Sequence, residues 1–163
     1  MSVDNVITEI IEREGGSKMT NDPTDRGGRT QYGIAERSNP EAWKDGKVTE
    51  QEAREIYLQK YVVGPGFHRI PPSHNKIQAL LVDWGVNSGP AIAIKCLQKA
   101  LDVEDDGVFG PQTLAALITR DVKLINTTLV IARVQMVGRI VSKNPNQIKF
   151  LSGWLNRALG FLN

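Results

Sequence analysis

A chain of 163 residues, 40% apolar and 23% charged, has the size and composition of one globular domain with a buried core, which excludes a disordered chain. Its single cysteine, Cys96, excludes a disulfide framework and a Cys-based zinc cage, and its two histidines, His68 and His74, leave little for a metal site. A net charge of +2 is too small to argue for nucleic acid, so neither a cofactor, a metal nor a nucleic-acid partner is expected.

The first predicted helix covers 3–14, where Val3, Val6, Ile7, Ile10 and Ile11 recur at helical spacing and Gly15-Gly16 ends the run. Asp4, Glu9, Glu12 and Arg13 interrupt it too often for a secretory leader. Residues 20–34 are rich in Gly, Asp and Thr and read as a turn-rich loop or short irregular hairpin. Thr49 opens the next helix through a capping box with Glu52, with Val48 as a staple onto Ala53 and an apolar stripe of Ala53, Ile56, Tyr57, Lys60 and Tyr61. After a connector holding Gly64-Pro65-Gly66 and Pro71-Pro72, helices are expected at 75–86, 90–101, 111–119, 121–142 and 146–161. The last carries Ile148, Phe150, Leu151, Trp154, Leu155, Ala158 and Leu159. The most apolar stretch, Leu117 to Val141, is broken by Arg120, Asp121, Lys123, Asn126, Arg133 and Arg139, short of the roughly 18 clean residues of a membrane span. No repeat or long linker separates domains, so one mostly helical domain is expected over 1–163, with a part at 1–70 and a helical part at 71–163.

Placed at about 100° per residue, Glu9 and Glu12 fall away from the apolar centre of the first helix. Glu14 instead follows Ile11 by three, Ile10 by four and Ile7 by seven, inside the apolar stripe. A carboxylate there is expected to be partly desolvated and, at a helix C-terminus, to have a raised pKa suited to general-acid work. The alternative is a structural pairing with Arg26 or Arg29. The following sixteen residues bring Gly15-Gly16, Asp22-Pro23, Asp25, Gly27-Gly28 and Thr30: glycines that admit a bulky ligand and acids that can oppose Glu14. An acid and a carboxylate across a cleft are the parts of a glycoside hydrolase.

Glu14-Gly15-Gly16 followed by Asp22-Pro23-Thr24-Asp25-Arg26-Gly27-Gly28-Arg29-Thr30-Gln31-Tyr32-Gly33-Ile34 resembles the signature of the family-108 glycoside hydrolases, lysozyme-like muramidases that include phage endolysins. Asp83-Trp84-Gly85-Val86-Asn87-Ser88-Gly89, then Leu97-Gln98-Lys99-Ala100-Leu101, Asp106-Gly107-Val108-Phe109-Gly110 and Thr113-Leu114, is similar to the peptidoglycan-binding half of the same enzymes. The resemblance spans roughly residues 3–120 and implies a lysozyme-like α+β fold: a small irregular β-hairpin after the first helix, then a larger helical lobe. It implies hydrolysis of the β-1,4 bond between N-acetylmuramic acid and N-acetylglucosamine, with bacterial peptidoglycan strands as partner and no stable membrane insertion. Glu14 matches the catalytic glutamate and Thr30 the threonine that holds water, while Asp22 and Asp25 both remain candidates for the second carboxylate. By analogy with phage lysozymes, inversion is the expected outcome. With no leader found, the expected course is a monomer held in the host cytoplasm until the membrane is permeabilised.

Tyr32 is a candidate sugar-stacking platform, Gly28 part of the substrate loop, and Asn87 and Ser88 candidates for the substrate N-acetyl groups or for capping the helix near Pro90. Trp84 continues the stripe of Ile77, Leu80 and Leu81 and reads as core, while Trp43 stays ambiguous. The segment from Asp102 to Gly107 begins like a calcium loop but carries Thr113 where a bidentate Glu is required. Cys96 reads as a small buried hydrophobe, and Arg133 and Arg139 with Lys123 and Lys143 as a solvated basic edge. The readings that compete with the muramidase are a lytic transglycosylase, a chitinase and a non-catalytic wall-binding or secretion-helper protein.

Overall fold

The computed structural model describes residues 2–21 and 28–162; Asp22, Asp25 and Arg26 lie outside the described residues. Helix α1 (Val3–Arg13) starts at Ser2, whose side chain accepts from the Asn5 N–H, and buries Val6, Ile7, Ile10 and Ile11. It stops at a double-glycine corner. Gly16 N–H reaches Ile11 O at 3.0 Å and Gly15 N–H reaches Glu12 O at 3.3 Å, the paired bonds of a left-handed helix stop, with both glycines at positive φ.

Strands β1 (Thr30–Gln31) and β2 (Ile34–Ala35) form a two-stranded antiparallel hairpin, with Gln31 opposite Ile34. The two residues between them, Tyr32 (φ 52°) and Gly33 (φ 76°), both have positive φ, the geometry of a tight turn that matches strand twist. Thr20 bridges to Thr30 and widens this small sheet by one residue pair.

Thr49 caps α2 (Glu50–Leu58) with both bonds of the expected capping box, and Val48 is buried beside it. The Tyr57-to-Tyr61 stripe does not continue as a regular helix: residues Gln59–Val63 form one wide turn closed by Gly64 N–H to Gln59 O at 2.8 Å. Four more helices follow the expected order: α3 (Asn75–Ser88), α4 (Pro90–Leu101), α5 (Pro111–Thr119) and α6 (Val122–Lys143). The last predicted helix divides into a 3-10 segment, Pro145–Phe150, and α7 (Leu151–Leu159).

Helix α3 is the hub and packs against α1, α4 and α6. Its run from Ala79 to Gly85 is buried on every side, so a near-continuous apolar sequence replaces the one-sided pattern of a surface helix. Trp84 is fully buried, which places it in the core rather than on a sugar. Trp43 is buried too and donates its Nε1–H to Ile34 O at 3.2 Å, fastening the hairpin to the segment that follows. Buried Gln98 organises the loop after α4: its amide reaches Asp106 at 2.7 Å and its carbonyl accepts from the Gly107 N–H at 2.9 Å, so the Asp106 carboxylate is engaged within the protein.

Several apolar expectations are corrected. Helix α6 does have the length and apolarity to cross a membrane, although the sequence reading discounted this stretch. Here it packs on α3, α4 and α7 and buries two polar residues, Asn126 and Arg133. The stripe expected in the last helix is largely open, with Ile148, Phe150 and Leu159 exposed and Ala158 buried. Cys96 is half-buried rather than interior. The whole is a mostly helical α+β fold with one small antiparallel hairpin.

Candidate active site

Glu14 occupies the residue where α1 ends, at φ −76° and ψ 16°. Extending the helical wheel to it is therefore not justified, because the chain is already leaving the helix toward Gly15-Gly16. The expected desolvation within the apolar stripe is overturned: Glu14 is exposed. The arginine pairing is not formed by Arg29, which is fixed to Glu36 by two bonds of 2.9 and 2.7 Å, donates to Gly46 O and lies over Trp43. Among the described residues, the Glu14 carboxylate has no hydrogen-bond or ion-pair partner.

The side chain borders a cleft of about 170 Å³ between the hairpin turn, α2 with its wide turn, and α3. Gly33 forms its closest wall. A Cβ on Gly33 would stand 2.8 Å from Glu14 Cβ and would run into the Tyr57 hydroxyl, and the positive φ there is itself unfavourable to other residues. The opposite wall is aromatic. Tyr57 and Tyr61 stack with centroids 5.9 Å apart, and the Lys60 ammonium lies 5.4 Å from the Tyr61 ring. Tyr57 donates to Tyr32 O at 3.3 Å, and burial, then the charge of Glu14, then Tyr61 push its phenol well above the usual range. Glu14 is the sole carboxylate among the described residues lining this cleft.

The other anticipated residues are placed differently. Tyr32 packs against the core and acts through its backbone, donating its N–H to Gly16 O at 3.0 Å while its carbonyl receives Tyr57. It thereby ties the hairpin turn to the glycine corner behind Glu14. Thr30 is half-buried on β1 and exchanges backbone bonds of 2.9 Å with Thr20; neither Thr30 nor Gly28 lines the cleft. Asn87 and Ser88 border a different cavity, between α3, α6 and α7. They do not cap α4 either, because its N-cap is Gly89 and the Asn87 amide donates back to Asp83 O. Gly33, Tyr57, Lys60 and Tyr61 were not expected in the site. Their signal was present as tyrosines on an otherwise apolar stripe, whose polar ends need somewhere to go.

Asp83, 2% exposed, is bound by two arginines that line that second cavity, Arg133 and Arg157. Arg157 Nε reaches its two oxygens at 2.8 and 2.9 Å, Arg133 reaches it at 2.6 Å, and Arg13, beside Glu14, at 3.5 Å. Burial pushes the Asp83 carboxyl upward, but the hydrogen bond from Arg157 and the charges of Arg133 and Arg157 outweigh it and hold it below the usual range. Arg133, expected on a solvated edge, is buried; an arginine on an apolar helix faces inward when a buried carboxylate awaits it.

The model of the family Glycosyl hydrolase 108 matches residues 7–89, just over half of the chain, including Glu14, the hairpin and Asp83. The chain belongs to glycosyl hydrolase family 108. A second model, described as a Predicted Peptidoglycan domain, matches residues 92–159 of this family-108 protein, from α4 through α7. The structure of SagA from Brucella abortus is similar over 99% of this chain and 95% of that one, with 28% identity and a TM-score of 0.67. No curated protein matches the chain. The family-108 protein is thus a lysozyme-like protein that acts on peptidoglycan and joins a glycoside-hydrolase region to a peptidoglycan region.

Proposed function

We propose that this chain is an N-acetylmuramidase that hydrolyses the β-1,4 bond between N-acetylmuramic acid and N-acetylglucosamine, with Glu14 as general acid. The observation that carries this reading is the exposed Glu14 carboxylate, without a partner among the described residues, on an aromatic-walled cleft within the family-108 region. Sugar faces are apolar enough to lie on the half-buried Tyr61, which the buried Tyr57 backs, and a glycan seated there takes water off the carboxylate. The substrate thus completes a burial that the protein alone leaves open.

In the reaction, Glu14-COOH gives its proton to the glycosidic oxygen as the C–O bond breaks and positive charge develops on the sugar. Water adds to the anomeric carbon and surrenders a proton to a base, for which Asp22 and Asp25 remain the proposed candidates. Gly33 permits the close approach of the turn to Glu14, and the Tyr57-to-Tyr32 bond holds that turn in place.

The test compares wild type with Glu14→Gln on purified peptidoglycan, measuring new reducing ends and product mass. The variant is expected to lose roughly 10²–10⁴ of the rate, the usual contribution of a general acid, with an unchanged circular dichroism spectrum. Equal activity in a folded Glu14→Gln protein overturns the assignment. Products lacking the added water, as 1,6-anhydro sugars, replace hydrolysis by transglycosylation.

A further inference from the structure

The Asp83 cluster is unbalanced. One carboxylate faces three guanidiniums, from Arg13, Arg133 and Arg157, and among the described residues none of the three pairs with another acid. Arg157 and Arg13 repel the Arg133 charge that Asp83 attracts. Arg133 is 5% exposed, yet its Nη1 has no hydrogen-bond partner among the described residues. The guanidinium lies against the Trp84 and Phe161 rings, 5.9 and 5.8 Å from their centroids, and its unpaired nitrogen still calls for a hydrogen-bond acceptor, which a carboxylate would supply with a compensating charge.

Arg133 and Arg157 both line the second cavity, about 210 Å³ in volume, together with Asn87 and Ser88 and an apolar wall of Met136, Val137, Ile140 and Trp154. A ligand fitting this space carries an anionic head and a small apolar body. Guanidinium forks favour planar carboxylates, which accept two parallel bonds. The cavity opens between the region matched to the glycoside hydrolases and the one matched to the peptidoglycan domain.

We propose that this cavity binds the C-terminal carboxylate of a peptidoglycan stem peptide, with Arg133 and Arg157 holding the carboxylate and the apolar wall taking the terminal alanine methyl. The proposal rests on the reading that the chain works on peptidoglycan, and adds recognition of the peptide to attack on the glycan. It also separates the two jobs: the glycan is cut at Glu14 while the peptide is read on the far side of Arg13 and Asp83.

The test is isothermal titration of the free tetrapeptide L-Ala-γ-D-Glu-meso-diaminopimelyl-D-Ala into the full chain carrying Glu14→Gln. Parallel titrations use its C-terminal amide, inorganic phosphate, and a peptide-free glycan oligomer. One-to-one binding is expected, weakened about tenfold or more in the amide, as loss of a charge-assisted bond implies. Ile140→Glu, a change at a partly exposed position that leaves the Asp83 cluster untouched, is expected to weaken binding to a similar degree by placing a like charge at the cavity wall. No tetrapeptide binding, equal binding of the amide, or equal binding by Ile140→Glu overturns the site. Phosphate binding as tightly as the tetrapeptide overturns the peptide assignment, and glycan displacing the tetrapeptide overturns the separation of the two sites. Because the titration needs no turnover, its failure is independent of the reducing-end assay, and an inactive wild type that still binds the tetrapeptide overturns the muramidase reading alone.

Discussion

Glu14 and Asp83 lie on opposite sides of one arginine. Arg13 precedes Glu14 in the chain and reaches across to Asp83, yet the two carboxylates live in different worlds. Asp83 is sealed in the hub helix and held by three guanidiniums, whereas Glu14 is exposed and, among the described residues, has no partner. A carboxylate bound by three cations is a poor proton donor, because its charged form is the one the protein stabilises. A carboxylate at a cleft edge is at the disposal of a ligand. The difference teaches that the acid in the more conspicuous electrostatic setting serves the fold, while the acid in the plainer setting is the one left open to a ligand.

Exchanging the two acids for neutral residues breaks this comparison most directly. Glu14→Gln is expected to remove activity and leave the denaturation midpoint unchanged. Asp83→Ala is expected to do the reverse, lowering stability by about 3–5 kcal/mol because it strands buried arginines, as urea or thermal unfolding would show. If Asp83→Ala unfolds at the wild-type midpoint, the cluster is not what holds α3 to α6 and α7. Gly33→Ala links both regions of effect. The Cβ meets Glu14 and Tyr57 in a left-handed turn, so a loss of about 1–3 kcal/mol is expected together with a large fall in rate. Wild-type rate in Gly33→Ala would show that the turn does not position the acid.

The pH dependence sharpens the contrast further. Asp83 has a depressed carboxyl pKa in the folded state, so its contribution is fully present above the unfolded value of about 3.9 and is lost as pH falls through the folded value. Stability measured by denaturant titration is expected to drop below about pH 4, and the drop should flatten in Asp83→Asn. Tyr57 gives the smallest effect and the opposite sign. Its phenol is raised, so the contribution is present below the unfolded value of about 10 and fades as pH climbs above it. Tyr57→Phe is expected to cost about 0.5–1.5 kcal/mol at neutral pH through the lost bond to Tyr32 O, and to remove that alkaline decline.

Much of this arrangement was readable before any coordinates. The Thr49 capping box, the Gly15-Gly16 stop and the helix order through α6 depend on neighbours within a few residues, and such short-range bonds leave a pattern in the chain. Trp84 was legible as core because it continues the apolar stripe of Ile77, Leu80 and Leu81. The burial expected of Glu14 was misread, because the wheel that predicted it assumed one more helical residue than α1 possesses. Arg133 was misread because, among the four basic residues of α6, one that faces a carboxylate fifty positions away looks in sequence the same as one that faces water.

The amino-acid order by itself determined the helix order through α6, the Thr49 cap, the Gly15-Gly16 stop and the family signature around Glu14, since each is written in spacings shorter than a few turns. Tertiary structure alone decided that Gly33 and Tyr57 stand against Glu14, that Asn87 and Ser88 face away from it, and that Arg13, Arg133 and Arg157 converge on Asp83. These pairings join residues far apart in the chain, and burial, by removing water as the competing partner, makes each of them count.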